Sequence, residues 1–501
     1  MPDRPNVVLI MTDQQRADVC RREGFPLDTT PFLDELAAGG MWFDRAYTAT
    51  PSCLPARVSL WTGRFPGATR VRHNQTRCAE HPHLPVCTAD LLDVMKGLGY
   101  RTAICGKNHS HLAGERFDYA SNYGHGGGSG RDDRTKQEEA FDQYLAGLCH
   151  RADYSAAPFP VECQGPYRAV RDAMGWVESI GDDPFLLWLS FAEPHNPYQV
   201  PEPYFSMFPP ESLPPTASGP DAWKDRGFKF RFTKQLGRRG FADYDEQVPR
   251  ARANYMGMLR LIDDQVRRFV EFLDARGLAE NTILCFVSDH GDFVGEYGLM
   301  RKGPEMPECL MRIPMFWRGP GIVASPKPHE AHVSPVDVMP TICEAVGAPI
   351  PAGVQGRSLW PLLTGQDYPA DEFRSIYAEQ GMGGLHYVEG DTLVDPTEDG
   401  LHESISFDCL NSRSQSGSMR MVRKGDWKLA FDMQGRGQLY HLPDDPAELT
   451  NLYNDPACAA AQQDLLAELL AWTIRAEDDL PLPDNRYVPK TDPRNYYAPY
   501  R

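Results

Sequence analysis

The run from Asn6 to Met11 is apolar and rich in β-branched residues, and a polar loop closes it, the pattern of a strand buried on both faces. Thr29-Thr30-Pro31 then opens a helical pattern over 32–37, which Gly39-Gly40 stops. Strand patterns recur at 102–105, 185–191, 283–287 and 315–317, with helical stretches at 89–98 and 255–275 between them. Such alternation predicts an α/β fold: a large, mostly parallel sheet sandwiched by helices. After about residue 364 the texture changes. Short strand patterns at 375–379, 427–431 and 438–442 precede one amphipathic helix at 459–475, which predicts a smaller C-terminal α+β unit with an antiparallel sheet. The expected division is 1–365 for the main domain and 366–501 for the smaller unit with its extended tail. The glycine-rich stretch 125–130 and the polar segment 197–249 read as loops. The tail 485–501, with four Tyr and three Pro, is expected to drape over its own body or a neighbouring subunit, which favours self-association into a homo-oligomer.

A length of 501 residues, 41% of them hydrophobic and 24% charged, supplies core for more than one unit and excludes a disordered chain. Against 69 acidic residues stand 51 basic ones, and the resulting net charge of −18 argues against nucleic acid or an anionic membrane as partner. The first apolar run is too short for a signal peptide and no later one reaches bilayer-spanning length, so a cytoplasmic location is expected. Twelve scattered cysteines read as reduced and structural, although their even number leaves a disulfide-bearing form open.

Chemistry concentrates at the strand ends. The first strand runs into Asp13-Gln14, and a later one into Ser288-Asp289-His290-Gly291-Asp292. Carboxylates, an amide oxygen and an imidazole suit one divalent cation with open positions; the plain alternative is that each Asp caps a turn. A third feature is Cys53-Leu54-Pro55-Ala56-Arg57. Pro55 marks a helix N-terminus, so Cys53 lies where backbone N–H groups and the helix dipole favour an anion, with Arg57 one turn away. Taken alone, Cys53 reads equally well as a reactive thiol.

Cys53-x-Pro55-x-Arg57, continued by Thr62-Gly63-Arg64, resembles the signature of the type I sulfatases, the formylglycine-dependent members of the alkaline phosphatase superfamily. Asp13-Gln14, Gly106-Lys107-Asn108-His109, Pro194-His195-Asn196-Pro197, Ser288-Asp289-His290-Gly291 and Lys302 fit in order, across roughly the first 365 residues. The resemblance implies an alkaline phosphatase-like fold and hydrolysis of a small anionic ester. It implies that a formylglycine-generating enzyme oxidises Cys53 to formylglycine, whose hydrate is the nucleophile. It places one divalent cation on Asp13, Gln14, the modified Cys53, Asp289 and His290. Arg57 and His109 would orient and deprotonate the hydrate, Lys107 and Lys302 would neutralise the anion, and His195 would protonate the leaving alcohol. Asn74 would donate to the transferred group.

Many sulfatases carry two consecutive Asp where this chain has Asp13-Gln14, and Asn where it has His290. Fewer negative charges and a nitrogen ligand bring Mn alongside Ca, with Zn as a further candidate. Similar substitutions occur in choline sulfatases, iduronate-type sulfatases and phosphonate monoester hydrolases. A sulfate ester is the first expectation; a phosphonate monoester or phosphodiester is the alternative. From other classes come a non-catalytic anion-binding protein with unmodified Cys53, and a thiol hydrolase pairing Cys53 with His195. Two further segments carry charged or ligand-type residues. Cys78, His81, His83 and Cys87 have zinc-ligand chemistry but no standard finger spacing, and read as a rigid loop. Seven basic residues between Lys224 and Arg239 read as a solvated loop, or alternatively as an anion-attracting rim.

Overall fold

The computed structural model describes residues 4–74, 89–128, 131–382, 388–390, 417–477 and 494–496. The first apolar run becomes β1 (Asn6–Asp13), every residue of it buried. It lies inside a seven-stranded sheet with β2 (Met41–Phe43), β3 (Arg101–Gly106), β4 (Tyr119–Asn122), β5 (Phe185–Pro194), β6 (Thr282–Ser288) and β7 (Met315–Arg318), in the order β2-β7-β6-β1-β5-β3-β4. Strand β1 pairs parallel with β5 through Val7↔Leu186 and with β6 through Thr12↔Ser288, and β3 pairs parallel with β5 and β4. The sheet is mostly parallel as expected, with β7 running antiparallel to β6. A parallel return needs a crossover helix, whereas residues 289–314 hold only short helical turns such as Glu308–Met311.

Both sheet faces are covered, which is why β1 shows no polar alternation. Val7, Leu9 and Met11 pack in the core that also holds Leu60 and Trp61 of α2 (Cys53–Thr62). Val8 and Ile10 pack on the other side with α1 (Pro31–Ala38), α3 (Gly165–Ser179) and α5 (Tyr244–Ala275). Between α3 and α5 lies α4 (Phe228–Gly240), a helix where a loop was expected. Part of the basic run is held by packing and ion pairs, while Arg238 and Arg239 stay exposed. Phe230 and Phe232 are buried, and Arg226, Arg231 and Lys234 pair with Glu305, Glu389 and Asp245. Phe228, Phe230 and Phe232 recur every second residue, so the helical face shows only in the buried set Phe230, Thr233, Lys234 and Gly237.

Strands β8 (Ser375–Gln380), β9 (Met419–Lys424), β10 (Trp427–Asp432) and β11 (Gly437–His441) form the antiparallel four-stranded sheet, in the order β11-β10-β9-β8. After α6 (Val338–Ala345), which packs in the main core, the last helix α7 (Ala459–Ala476) covers this small sheet. Trp472 of α7 stacks on Tyr377 at 6.1 Å and meets Phe65, just beyond α2, at 6.0 Å, so one aromatic cluster ties the small sheet to the helix that starts at Cys53. Of the tail, Arg494 pairs with Glu344 at 2.8 Å and the buried Tyr496 donates to Ser358 O at 2.6 Å, which lays those residues on the chain's own body. Cys78, His81, His83 and Cys87 lie outside the described residues. The nine described cysteines are free thiols, and among the described residues no helix is long and apolar enough to cross a membrane.

Candidate active site

Four adjacent strands, β6, β1, β5 and β3, end on the same side of the sheet, where open α/β sheets collect ligands. Each delivers chemistry at its tip: β1 gives Asp13 and then Gln14, β6 leads into Asp289 and His290, β5 into His195, and β3 into Lys107. Gly106 is the residue that lets β3 close on β5. Its φ is +113°, and a Cβ there would run into the Ser190 carbonyl, whose oxygen accepts from Lys107 N at 2.8 Å. Cys53 is the first residue of α2 and faces these tips.

The thiol of Cys53 lies 3.1 Å from His290 Nε2, 3.5 Å from Asp13 Oδ1 and 3.1 Å from Lys302 Nζ. Arg57, one turn along α2, donates through Nε to Asp289 Oδ2 at 2.9 Å, through Nη2 to Asp13 Oδ2 at 3.2 Å and through Nη1 to Ser190 Oγ at 2.9 Å. Lys107 Nζ donates to Asp13 Oδ2. Gln14 takes the left-handed conformation at φ 72°, a strained geometry for a non-glycine residue. That turn lets its N–H reach Asp289 Oδ1 at 3.0 Å, while its Oε1 accepts from Lys302 at 3.1 Å. The ligand atoms of Asp13, Cys53, Asp289 and His290 all lie within 4.8 Å of one another.

The charges settle each other. Burial works to raise the Asp13 carboxyl, but Lys107, His195 and Arg57 hold it well below the usual carboxylate range. Burial and Asp13 likewise oppose ionisation of Cys53, yet Lys107, Lys302 and His290 bring its thiol well below the ordinary value. Burial, together with His125 and Lys302, keeps His195 neutral far into acid. Its Nδ1 donates to Asn196 O at 2.7 Å and its Nε2 faces Lys302 Nζ at 3.3 Å.

Two sequence expectations come out differently. His109 is exposed at φ 38°, and Lys107 alone of that motif dips to Asp13 because the chain turns outward after β3. Asn74 accepts at its Oδ1 from Leu54 N at 3.0 Å and Ser52 Oγ at 2.8 Å, so the oxygen caps the first turn of α2 and only its Nδ2 is left to donate. Residues to which the sequence assigned no role complete the site. Asp292 accepts from Gln14 Nε2 and from Tyr198 OH, Thr48 Oγ1 donates to Asp289 O at 2.5 Å, and His125 stacks on His195 with ring centroids 3.7 Å apart. Only Asp292, inside the strand-tip motif, was within reach of sequence reading.

A family model described as Sulfatase matches residues 5–348, the stretch that carries all of these groups. The chain belongs to the sulfatase family. This sulfatase is 29% identical over 480 residues to the arylsulfatase of Clostridium perfringens, with 90% of both chains covered. To the choline-sulfatase of Rhizobium meliloti it is 26% identical over 508 residues, covering 95% of this chain and 88% of that one. The crystal structure of the phosphonate monoester hydrolase of Agrobacterium radiobacter superposes with a TM-score of 0.75 at 23% identity, over 94% of this chain and 96% of that one, which shows a common fold. The sulfatase is a hydrolase of sulfuric esters.

Proposed function

We propose that this sulfatase opens sulfate esters through Cys53 matured to formylglycine, beside a divalent cation held by Asp13, Asp289 and His290. The observation that carries the reading is the convergence on Cys53. Its sulfur marks the place of the nucleophilic oxygen, and it has an imidazole, a carboxylate and an ammonium group within 3.5 Å. The residues fit a cation. His290 Nδ1 is hydrogen-bonded to Gly291 O at 2.8 Å, so its Nε2 presents a lone pair, 3.7 Å from Asp289 Oδ1 and 4.0 Å from Asp13 Oδ1. Ligand atoms at that spacing can surround an ion at about 2.0–2.4 Å. Two carboxylates and one imidazole suit Mn or Ca, with Zn accommodated, and Gln14 borders the set. A bound cation would lower the pKa of the hydroxyl on residue 53 and so favour the nucleophile at neutral pH.

The chain's own residues do the rest. Arg57 fixes both carboxylates in one plane of hydrogen bonds. Lys107 and Lys302 bracket the position of residue 53 and offset charge that develops on the transferred anion. The Lys302–His195 pair holds a proton between two nitrogens 3.3 Å apart, and that proton goes to the leaving oxygen. Arg57, Lys107 and Lys302 balance the buried carboxylates of Asp13, Asp289 and Asp292, so a bound divalent cation would leave net positive charge for a tetrahedral anion.

A panel of chromogenic sulfate, phosphodiester and phosphonate esters, assayed with Mn, Ca or chelator, tests the proposal. Sulfate release with the highest kcat/KM, lost on chelation, is the expected result. Preference for the phosphorus esters would move the substrate assignment to them. No turnover by protein carrying the aldehyde would leave an anion-binding protein.

A further inference from the structure

The glycine-rich stretch that begins at Gly124 is a built support for one side chain. Gly124 and Gly127 exchange backbone hydrogen bonds of 2.9 Å in both directions and turn His125 out at the tip. Gly127 sits at φ +74°, pressed so close to Asp142 that a Cβ would collide with its carboxylate. Asp142 is itself pinned by Arg168 at 2.7 Å and Arg134 at 2.9 Å, and Tyr123, at the loop's start, donates to Asp172 at 2.6 Å beneath the Arg168 guanidinium. The loop therefore has one seat, and that seat aims His125 at the active site.

There, His125 Nε2 lies 2.8 Å from Lys107 Nζ, and its ring stacks on His195. An ammonium group can only donate, so Nε2 must be the lone-pair nitrogen and the neutral ring must carry its proton on Nδ1. Burial and the Lys107 charge keep the ring neutral. Yet Nδ1 is buried and has no acceptor among the described residues. A buried donor without a partner is costly, and it is explained when a ligand supplies the acceptor. The anion that Lys107 and Lys302 bracket is such a ligand.

We infer that His125 is a substrate-contacting residue, donating from Nδ1 to an oxygen of the bound tetrahedral anion while Nε2 holds Lys107. The inference rests on the reading of this site as the ester site.

Two substitutions separate the two nitrogens. His125→Asn keeps a donor near Nδ1 and loses the acceptor for Lys107; His125→Gln does the reverse. Inorganic sulfate binding is measured by calorimetry on wild type and both variants, so the readout needs no turnover, with kcat and KM for an aryl sulfate in parallel. His125→Gln is expected to bind sulfate about tenfold or more weakly, the size of one hydrogen bond to a charged acceptor, and His125→Asn to stay within about threefold of wild type. Matching melting temperatures verify that the loop is intact. Wild-type affinity in His125→Gln, or equal losses in both variants, would overturn the inference. Failure of the hydrolase reading shows separately, as a wild type that binds sulfate but releases none from the ester.

Discussion

Arg57 Nε donates to Asp289 Oδ2 at 2.9 Å with both side chains withdrawn from solvent, and this one contact ties the nucleophile's helix to the tip of β6. Because the same guanidinium also reaches Asp13, its loss leaves two buried carboxylates without their shared partner. Breaking a buried pair from one side costs about 3–5 kcal/mol. Arg57→Ala is therefore expected to lose that much stability in denaturant unfolding and at least about 100-fold in kcat/KM. Arg57→Lys should recover part of the stability and little of the activity, since one ammonium group cannot span both carboxylates.

Asn74 acts on the nucleophile through the helix. Replacing it with Ala removes the acceptor for Leu54 N–H and the Ser52 hydroxyl and should cost about 1 kcal/mol. Fraying of the first turn displaces residue 53, so kcat should fall more than KM rises. A residue that merely bound substrate would show the opposite split.

Chelation tests the cation independently of turnover. An ion that binds only the folded chain stabilises it by about 2.7 kcal/mol at 100 times its Kd. Exhaustive chelation should lower the melting temperature and abolish sulfate release, and Mn or Ca should restore both. The Asp289→Asn variant should show a smaller response of melting temperature to added metal than wild type.

His332 supplies a pH effect away from the site. Burial, with Arg423 and Arg45 nearby, pushes its imidazole down to about 3, while its ring nitrogens face Phe373 O and Gly425 O. An unfolded histidine takes up a proton near pH 6.5 that the folded one refuses. Stability from this group is complete above 6.5 and is lost as pH falls from there towards 3, at about 1.4 kcal/mol per pH unit. His332→Gln should flatten that slope in unfolding titrations between pH 6.5 and 4. A slope unchanged from wild type would exclude the effect.

Strands β1, β3, β5, β6 and β7 of the main sheet were legible because they are largely buried and announce themselves as apolar runs, whereas the largely exposed β4 gave no such run. Asp13, Asp289 and His290 follow such runs directly, and Cys53 and Arg57 sit on one helix turn, so sequence spacing placed them. His109 and His125 show where that legibility stops. Which imidazole reaches Lys107 is set by the packing of Gly127 on Asp142, residues whose proximity no local pattern encodes. Asn74 is similar: its residue type suggested a donor, while its fold position uses the oxygen as a cap. The antiparallel entry of β7 depended on a missing crossover helix, and α4 was hidden because its apolar positions are interleaved with a basic run.

The most direct test is the mass of the peptide containing residue 53, taken from material that releases sulfate from an aryl sulfate. Oxidation of the thiol to the aldehyde lowers that mass by about 18 Da, the balance of losing sulfur and two hydrogens and gaining oxygen, and so provides the nucleophile. The account predicts the lowered mass, with sulfate release proportional to its fraction and none from Cys53→Ala. Full activity in protein whose residue 53 is entirely unmodified cysteine would contradict it.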